Sequence, residues 1–395
     1  MYNAVIVDAV RTAGGKRNGR LSGWHPSDLA GEVLKALAER NSLDPAVIDD
    51  VIMGCVMQVG SQSLNIGRNA VLAAGFPESV PATTVDRQCG SSQQSAHFAA
   101  QGVMAGAYDV VIAAGVEVMS TTPMGASITP GSIPFGPGVM SRYADDGGLV
   151  PQGISAEMIA DKWGISRAEL DVYGARSQQR ATTATEEGRF DNEIVPVAAR
   201  LWDKEKNEVV DLGEKHAKDE GIRPGTTAET LANLKPAFKA DGKVTAGNSS
   251  QICDGASAVL IMSEEKAKAL GLTPRARFHS FALAGVDPVT MLTGPIPATT
   301  KVFERSGLSM ADMDVIEINE AFASVVLAWE NEHSPDMTKV NVNGGAIALG
   351  HPLGGSGTKL MATLLNELER TGGRYGLETM CEGGGLANAT IIERL

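Results

Sequence analysis

The sequence predicts an α/β fold built from two similar units, with an insertion in the first. Three observations predict it. Short β-branched runs alternate with amphipathic stretches, the pattern of a largely parallel sheet covered by helices. From Arg275 the order of elements in the first hundred residues returns. Between 119 and about 245 the pattern breaks: Pro and Gly punctuate 123–153, and charges dominate 203–223. The expected division is therefore 1–118 with 249–274 as the first unit, 119–248 as the insertion, and 275–395 as the second unit. Loop-rich insertions of this kind commonly cover a site.

Residues 4–10 read as the first strand, followed by the basic loop Arg11-Thr12-Ala13-Gly14-Gly15-Lys16-Arg17. Leu29, Val33, Leu34 and Leu37 share one face of a helix over 27–40. A strand over 48–56 and a short helix over 67–74 precede a β-branched strand at 83–85. Ala96, Ala99, Ala100, Val103 and Met104 then recur at helical spacing, with Gly106 as the stop. A buried strand follows at 110–114, helix is expected within 155–188, and the sheet resumes at 256–262. In the second unit, 276–284 lies on the first strand, 299–306 forms a helix and 315–318 a strand. Residues 319–330 read as helix, with Ala321, Val325, Ala328 and Trp329 at apolar spacing. Residues 340–343 match the strand before Cys89. Gly354-Gly355-Ser356-Gly357, ahead of Leu360, Met361, Leu364, Leu365 and Leu368, matches Cys89-Gly90-Ser91-Ser92 and its helix. A final strand at 377–381 lies where 110–115 lay.

Composition narrows the function. A net charge of −13 argues against bulk binding to nucleic acid, so an anionic substrate needs a local basic patch. No apolar stretch is long enough to span a bilayer. The chain runs straight into a strand rather than a signal peptide, and its four cysteines show no CxxC spacing. These features point to a cytoplasmic protein with free thiols. The six histidines are scattered, which argues against zinc.

Four segments could carry chemistry. Cys89 sits at a strand-to-helix junction, where unpaired N–H groups and the helix dipole are expected to stabilise a thiolate. A cysteine is more often a buried core thiol, and position alone does not decide between the two. Glu317-Ile318-Asn319-Glu320-Ala321-Phe322 places polar residues where a buried strand ends. His351 lies among small residues from Gly344 to Gly357, and Cys381-Glu382-Gly383-Gly384-Gly385 sets a second cysteine before bare backbone. Each has a plain packing explanation. Together they supply a nucleophile, a base, an amide and N–H donors at one end of a sheet, the set needed for acyl transfer through a thioester.

With these motifs in place, the chain resembles the thiolases over nearly its full length. Gln88-Cys89-Gly90-Ser91 is similar to their acylated-cysteine motif and Asn319-Glu320-Ala321-Phe322 to their Asn-Glu-Ala-Phe motif. Gly350-His351-Pro352 resembles the Gly-His-Pro motif, and Cys381 to Gly385 the Cys-x-Gly-Gly-Gly motif. The resemblance implies two βαβαβαββ halves packed as an αβαβα sandwich with a loop domain. It also implies CoA-dependent cleavage of a 3-ketoacyl-CoA by a ping-pong route, reversible as a Claisen condensation. Cys89 would carry the acyl group and His351 would activate it. Cys381 would move the proton, and Asn319 would hold a water in one oxyanion hole. The N–H groups of Cys89 and Gly383 would form the other. Arg223, Ser250 and Met291 would meet CoA or the acyl chain; Lys215, His216 and Lys218 either add local positive charge there or form a solvated charged loop. CoA is then a substrate, with no tightly bound cofactor or metal, and the assembly a homodimer or homotetramer.

Pro151-Gln152-Gly153 stands where short-chain biosynthetic thiolases carry His-Met-Gly, which favours a degradative enzyme for longer or bulkier, even steroid-like, acyl groups. The alternatives are a biosynthetic acetoacetyl-CoA thiolase, a ketoacyl synthase and a non-catalytic acyl-CoA-binding relative. A ketoacyl synthase carries histidine where Asn319 stands and has no second cysteine like Cys381.

Overall fold

The computed structural model describes residues 3–395. The first unit runs β1 (Ala4–Arg11), β2 (Gly15–Lys16), α1 (Pro26–Arg40), β3 (Asp50–Gly54), α2 (Ile66–Ala73), β4 (Ala82–Val85), α3 (Ser91–Met104) and β5 (Val110–Val118). The insertion holds α4 (Pro137–Arg142), α5 (Gln152–Lys162), α6 (Arg167–Glu186), β6 (Val197–Asp203), β7 (Glu208–His216) and α7 (Ala228–Ala232). β8 (Cys253–Ser263) and α8 (Glu264–Ala269) close the first unit. The second runs β9 (Ala276–Gly285), α9 (Pro295–Ser306), β10 (Val315–Ile318), α10 (Ala323–His333), α11 (Ala346–Leu349), α12 (Ser356–Thr371), β11 (Tyr375–Glu382) and β12 (Leu386–Arg394).

The strand order is β10-β11-β12-β9-β1-β8-β5-β3-β4, with β2 on β8. Outward from the centre, β1 pairs antiparallel with β8, β8 antiparallel with β5, and β5 parallel with β3, which is parallel to β4. The other half repeats this: β9 is antiparallel to β12, β12 antiparallel to β11, and β11 parallel to β10. The repeat is therefore real down to strand direction. The halves join through β1 and β9 at two residue pairs, Val5 with Arg277 and Ile6 with Ala276.

Alternation along β1 sends Val5 and Val7 to one core and Ala4 and Ile6 to another, so both faces are buried. The first core packs α1 and α2 against the first half-sheet, and a second packs α9 and α10, with part of the insertion, against the other. A third lies between the half-sheets and is filled by Ala96, Ala99, Ala100 and Val103 of α3 and Met361, Leu364, Leu365 and Leu368 of α12. Helix, sheet, helix, sheet, helix is the resulting order of layers.

Several elements differ from the sequence reading. The helix expected over 319–330 begins at Ala323. The Asn319 N–H is spent on the Thr379 carbonyl and Ser249 bridges Phe322, which holds this stretch as irregular backbone beside the sheet. Residues 340–343 make only isolated bridges, because Asn341 takes a left-handed φ of 47° and its side chain bonds the Ile318 backbone. The helical 155–188 stretch is two helices, broken after Lys162 and restarted by a Ser166–Glu169 capping box. The charged 203–223 region contains the second arm of an exposed β6–β7 hairpin. The strand at 377–381 is not the last, since β12 follows it across the Gly383 to Gly385 turn.

Candidate active site

α3 is enclosed in the middle layer, so the polar side chains of its first turns need internal partners. Gln93 donates to Thr390 and to the Glu378 carbonyl, and Ser92 accepts from the Thr358 N–H, tying α3 to the second half. Ahead of it, residues 87–91 form a tight turn: the Gly90 N–H donates to Arg87 O, and the Ser91 N–H and hydroxyl both donate to Gln88 O. Gln88 has a φ of +50°, a left-handed conformation rare for a non-glycine residue and worth roughly 1–3 kcal/mol of strain. The turn aims Cys89 into a cluster with Val56, Met119, Leu353 and Met380.

The Gly383 and Cys89 N–H groups and the Gln152 amide face the Cys89 sulfur and favour its anion. Burial opposes them, Glu382 adds to it, and the thiol is pushed up to about 12. The expected resting thiolate is thus overturned. The Ser91 N–H, the first of α3, is spent in the 87–91 turn, and desolvation outweighs the donors that face the sulfur. Cys381, at the end of β11, is also buried; desolvation and the neighbouring Cys89 hold it well above the ordinary thiol value. Both sulfurs rest as thiols.

His351 is buried, and its backbone N–H donates to Gln251 O at 3.0 Å. Ser356 spends its hydroxyl proton on Pro352 O at 2.9 Å, so the His351 Nδ1–H must donate to Ser356 Oγ. That assignment leaves Nε2 with a free lone pair, 3.4 Å from Asn319 Nδ2. Burial and then Lys359 push the imidazole down to about 3, so it stays neutral at physiological pH.

The structure therefore gathers Cys89, Cys381 and Gly383 at one point and His351 with Asn319 at another. Leu353, two residues past His351, packs with Cys89, and Thr379, two residues before Cys381, holds the Asn319 N–H, which links the two groups. Of the expected CoA contacts, Arg223 is exposed with its N–H on Gln178, and Ser250 is half-buried with its N–H on Ala321 O. Met291 is buried in the second core with Phe322 and Cys381. Lys215 and Lys218 are exposed, whereas His216 is not a surface cation: it is buried on Ala13 O, and desolvation lowers its pKa.

The motifs assign no role to three side chains that the structure places at or beside the site. Gln152, in the Pro151-Gln152-Gly153 segment that departs from the His-Met-Gly pattern, has its amide facing Cys89. Glu117 accepts from the Val56, Met57 and Gly354 N–H groups and from Gln62, joining a wall of the Cys89 cluster to the His351 segment. Glu320 accepts from Tyr173, Ser177, Asn341 and the Ile347 N–H, clasping the insertion to the second half. An acid at the end of an otherwise apolar strand, as at Glu117, is the available signal. No group of three or more His, Cys, Asp or Glu that could hold a metal occurs among the described residues.

Residues 4–265 match the family model of the thiolase N-terminal domain, and 272–394 that of the thiolase C-terminal domain. The chain is 49% identical to the steroid 3-ketoacyl-CoA thiolase FadA6 of Mycobacterium tuberculosis, across all of this chain and 95% of that protein. It is 43% identical to the 3-ketoacyl-CoA thiolase of Bacillus subtilis, with full coverage of both. Its fold is similar to that of the acetyl-CoA acetyltransferase of Bacillus anthracis, with a TM-score of 0.88 and 40% identity over all of this chain and 99% of that one. Two domain matches spanning almost every residue, on a duplicated fold that carries all four motifs, leave one conclusion: the chain belongs to the thiolase family.

Proposed function

We propose that the protein is a degradative thiolase, cleaving a 3-ketoacyl-CoA with CoA to acetyl-CoA and a shortened acyl-CoA. The observation that carries this reading is the Cys89 sulfur set against the Gly383 and Cys89 N–H groups with Cys381 beside it. The neutral His351 Nε2 takes the Cys89 proton as the sulfur attacks the 3-keto carbon. Breaking the C2–C3 bond leaves an enolate on the acetyl-CoA portion, and the Cys381 thiol delivers its proton to C2. The incoming CoA thiol gives its proton to Cys381, its sulfur takes the acyl group from Cys89, and the leaving Cys89 sulfur recovers the proton held by His351. In this reading Asn319 holds a water at one oxyanion position, supported by its Nδ2 lying 3.4 Å from His351 Nε2, and the Cys89 and Gly383 N–H groups serve the other. Pairing a high thiol pKa with a neutral base keeps charge out of the buried site until substrate arrives.

Arg223, Ser250 and Met291 are proposed CoA or acyl contacts, with 119–248 as the cover. A cytoplasmic dimer or tetramer is part of the same reading, supported by exposed Leu64, Leu72 and Phe98 on the first unit and Ile133 and Phe135 on the insertion. No helix among the described residues is long and apolar enough to cross a membrane.

Thiolysis across short, long and steroid-like 3-ketoacyl-CoA substrates tests the reading. Cys89→Ala should abolish turnover. Cys381→Ala should keep partial acylation by a simple thioester while losing carbon–carbon bond turnover. Strict dependence on a malonyl thioester would instead make the protein a synthase. Selective turnover of acetoacetyl-CoA would favour the biosynthetic reading that the Bacillus anthracis similarity raises.

A further inference from the structure

His351 sits at the end of a short segment whose backbone needs support. α11 is only four residues long and ends at Gly350, whose φ is +80°. Its last carbonyls have no partner within the helix. Lys359 supplies both: Nζ donates to Leu349 O at 2.7 Å and to Gly350 O at 2.8 Å. The Leu349 carbonyl is also pressed against Gly14, where a Cβ would come within 2.6 Å. Ser356 and Lys359 stand three residues apart on the first turn of α12, hence on one face. One receives the imidazole Nδ1–H and the other holds the two carbonyls just before the ring.

A buried lysine is a costly way to cap two carbonyls, which a neutral amide could do. Here the charge is sustained by a buried set of ion pairs. Arg11 Nε lies 2.6 Å from Glu193, and Arg11 Nη1 lies 2.8 Å from Asp219. Burial lowers the Lys359 pKa, and the attraction of Asp219 opposes that lowering. Two cations and two carboxylates balance, and both carboxylates come from the insertion. A small cavity of about 10 Å³ adjoins the segment, lined by Glu317, Asn319, Ser356 and Lys359 among others.

We propose that Lys359 is a positioning residue for His351, fixing the segment that carries the ring and presenting the imidazole as a base. This deepens the thiolase reading and rests on His351 being that base. The groups facing Lys359 are Asp219 and Glu193 of the insertion, Arg11 of β1 and Cys253 of β8. Those near His351 are Asn319, Ser356, Lys359, Cys253 and, across the small cavity, Glu317. Burial and then the neighbouring acids raise the Glu317 pKa well above the ordinary carboxylate value, which works against its charged form.

The test is the pH dependence of kcat/KM for thiolysis in the wild type and in Lys359→Met, Lys359→Gln and Lys359→Arg, with thermal melts to verify folding. Without the positive charge the imidazole loses the second of the two causes that lower its pKa, while burial remains, so the acid limb of the profile should move to higher pH. The ratio of kcat/KM at pH 4.5 to that at pH 7.5 should then fall about twofold or more relative to wild type. Lys359→Gln keeps a donor but no charge, so it should show the same fall; Lys359→Arg should hold the wild-type ratio. If Lys359→Met does not fold, Lys359→Gln decides. A folded neutral variant with the wild-type ratio overturns the proposal. His351→Ala separates the two ideas: retained activity there removes His351 as the base. Lost activity with an unmoved Lys359→Gln ratio removes only the role of Lys359.

Discussion

Replacing Gly357 with alanine probes how closely the two halves must approach for the site to exist. Gly357 lies in the first turn of α12 against the first turns of α3. A Cβ there would sit 2.1 Å from Gln93 N, 2.7 Å from its Cα and 2.6 Å from its Cβ, whereas ordinary contact begins at 3.4 Å. Two of these atoms are backbone, so no rotamer change relieves the clash, and the helices must part by roughly 1 Å in a close-packed layer. Overpacking of this kind costs about 1–3 kcal/mol. For a chain of this length that lowers Tm by roughly 1–4 °C. The kinetic effect should be far larger. α3 begins two residues after Cys89 and α12 five residues after His351, so the separation passes directly to both groups. A misplacement near 1 Å costs about 100-fold in rate. Thiolysis kcat/KM and a thermal melt measure the two effects on one sample. Gly285→Ala is the control, since nothing lies within 4 Å of its added Cβ. A Gly357→Ala protein with kcat/KM within about twofold of wild type would refute the coupling of helix spacing to catalysis.

Two further outcomes follow from the buried charges and from the insertion. Arg11→Met leaves Glu193 and Asp219 buried without their guanidinium and should cost about 3–5 kcal/mol in denaturant unfolding. Burial works to raise the Asp219 pKa, but Arg11 and Lys359 win and hold it below the ordinary value of 3.8. Its contribution is therefore present above that pH and lost as pH falls through the lower folded value, so the gap between wild type and Arg11→Met should narrow below about pH 4. A gap that widens on acidification would contradict this. Gln152→Ala removes an amide that favours the Cys89 anion and should slow the acylation burst about tenfold, the worth of one hydrogen bond to a charged group. An unchanged burst would leave Gln152 as packing only.

The duplicated sheet was legible because its strands are buried on both faces and read as unbroken apolar runs, as in β5 and β8. The four motifs were legible because small residues and glycines are needed where backbones meet, as Gly354 shows: a Cβ there would lie 2.6 Å from the Cys55 Cα. The misreadings share a cause, namely interactions between residues distant in sequence. Asn319 to Phe322 carries helical spacing, yet the Asn319 N–H donates to β11 and the Ala321 carbonyl accepts from the Ser250 N–H of the 245–250 loop. The state of Cys89 depends on how deeply it is buried, which its local motif does not encode. Arg11, Glu193, Asp219 and Lys359 are scattered along the chain, and only the folded insertion brings them together.

The middle layer has a consequence for autonomy. α3 and α12 fill one core that is walled by both half-sheets, so neither half owns the surface its own central helix covers. A first unit expressed alone would leave the apolar face of α3 and the inner faces of β5 and β8 open to water, and the second would do the same with α12. Repetition here does not yield two independent folding units. The gene can be read as a doubled domain, but the molecule is stable only as a whole, and the site between the halves forms in the same event that makes either half a protein.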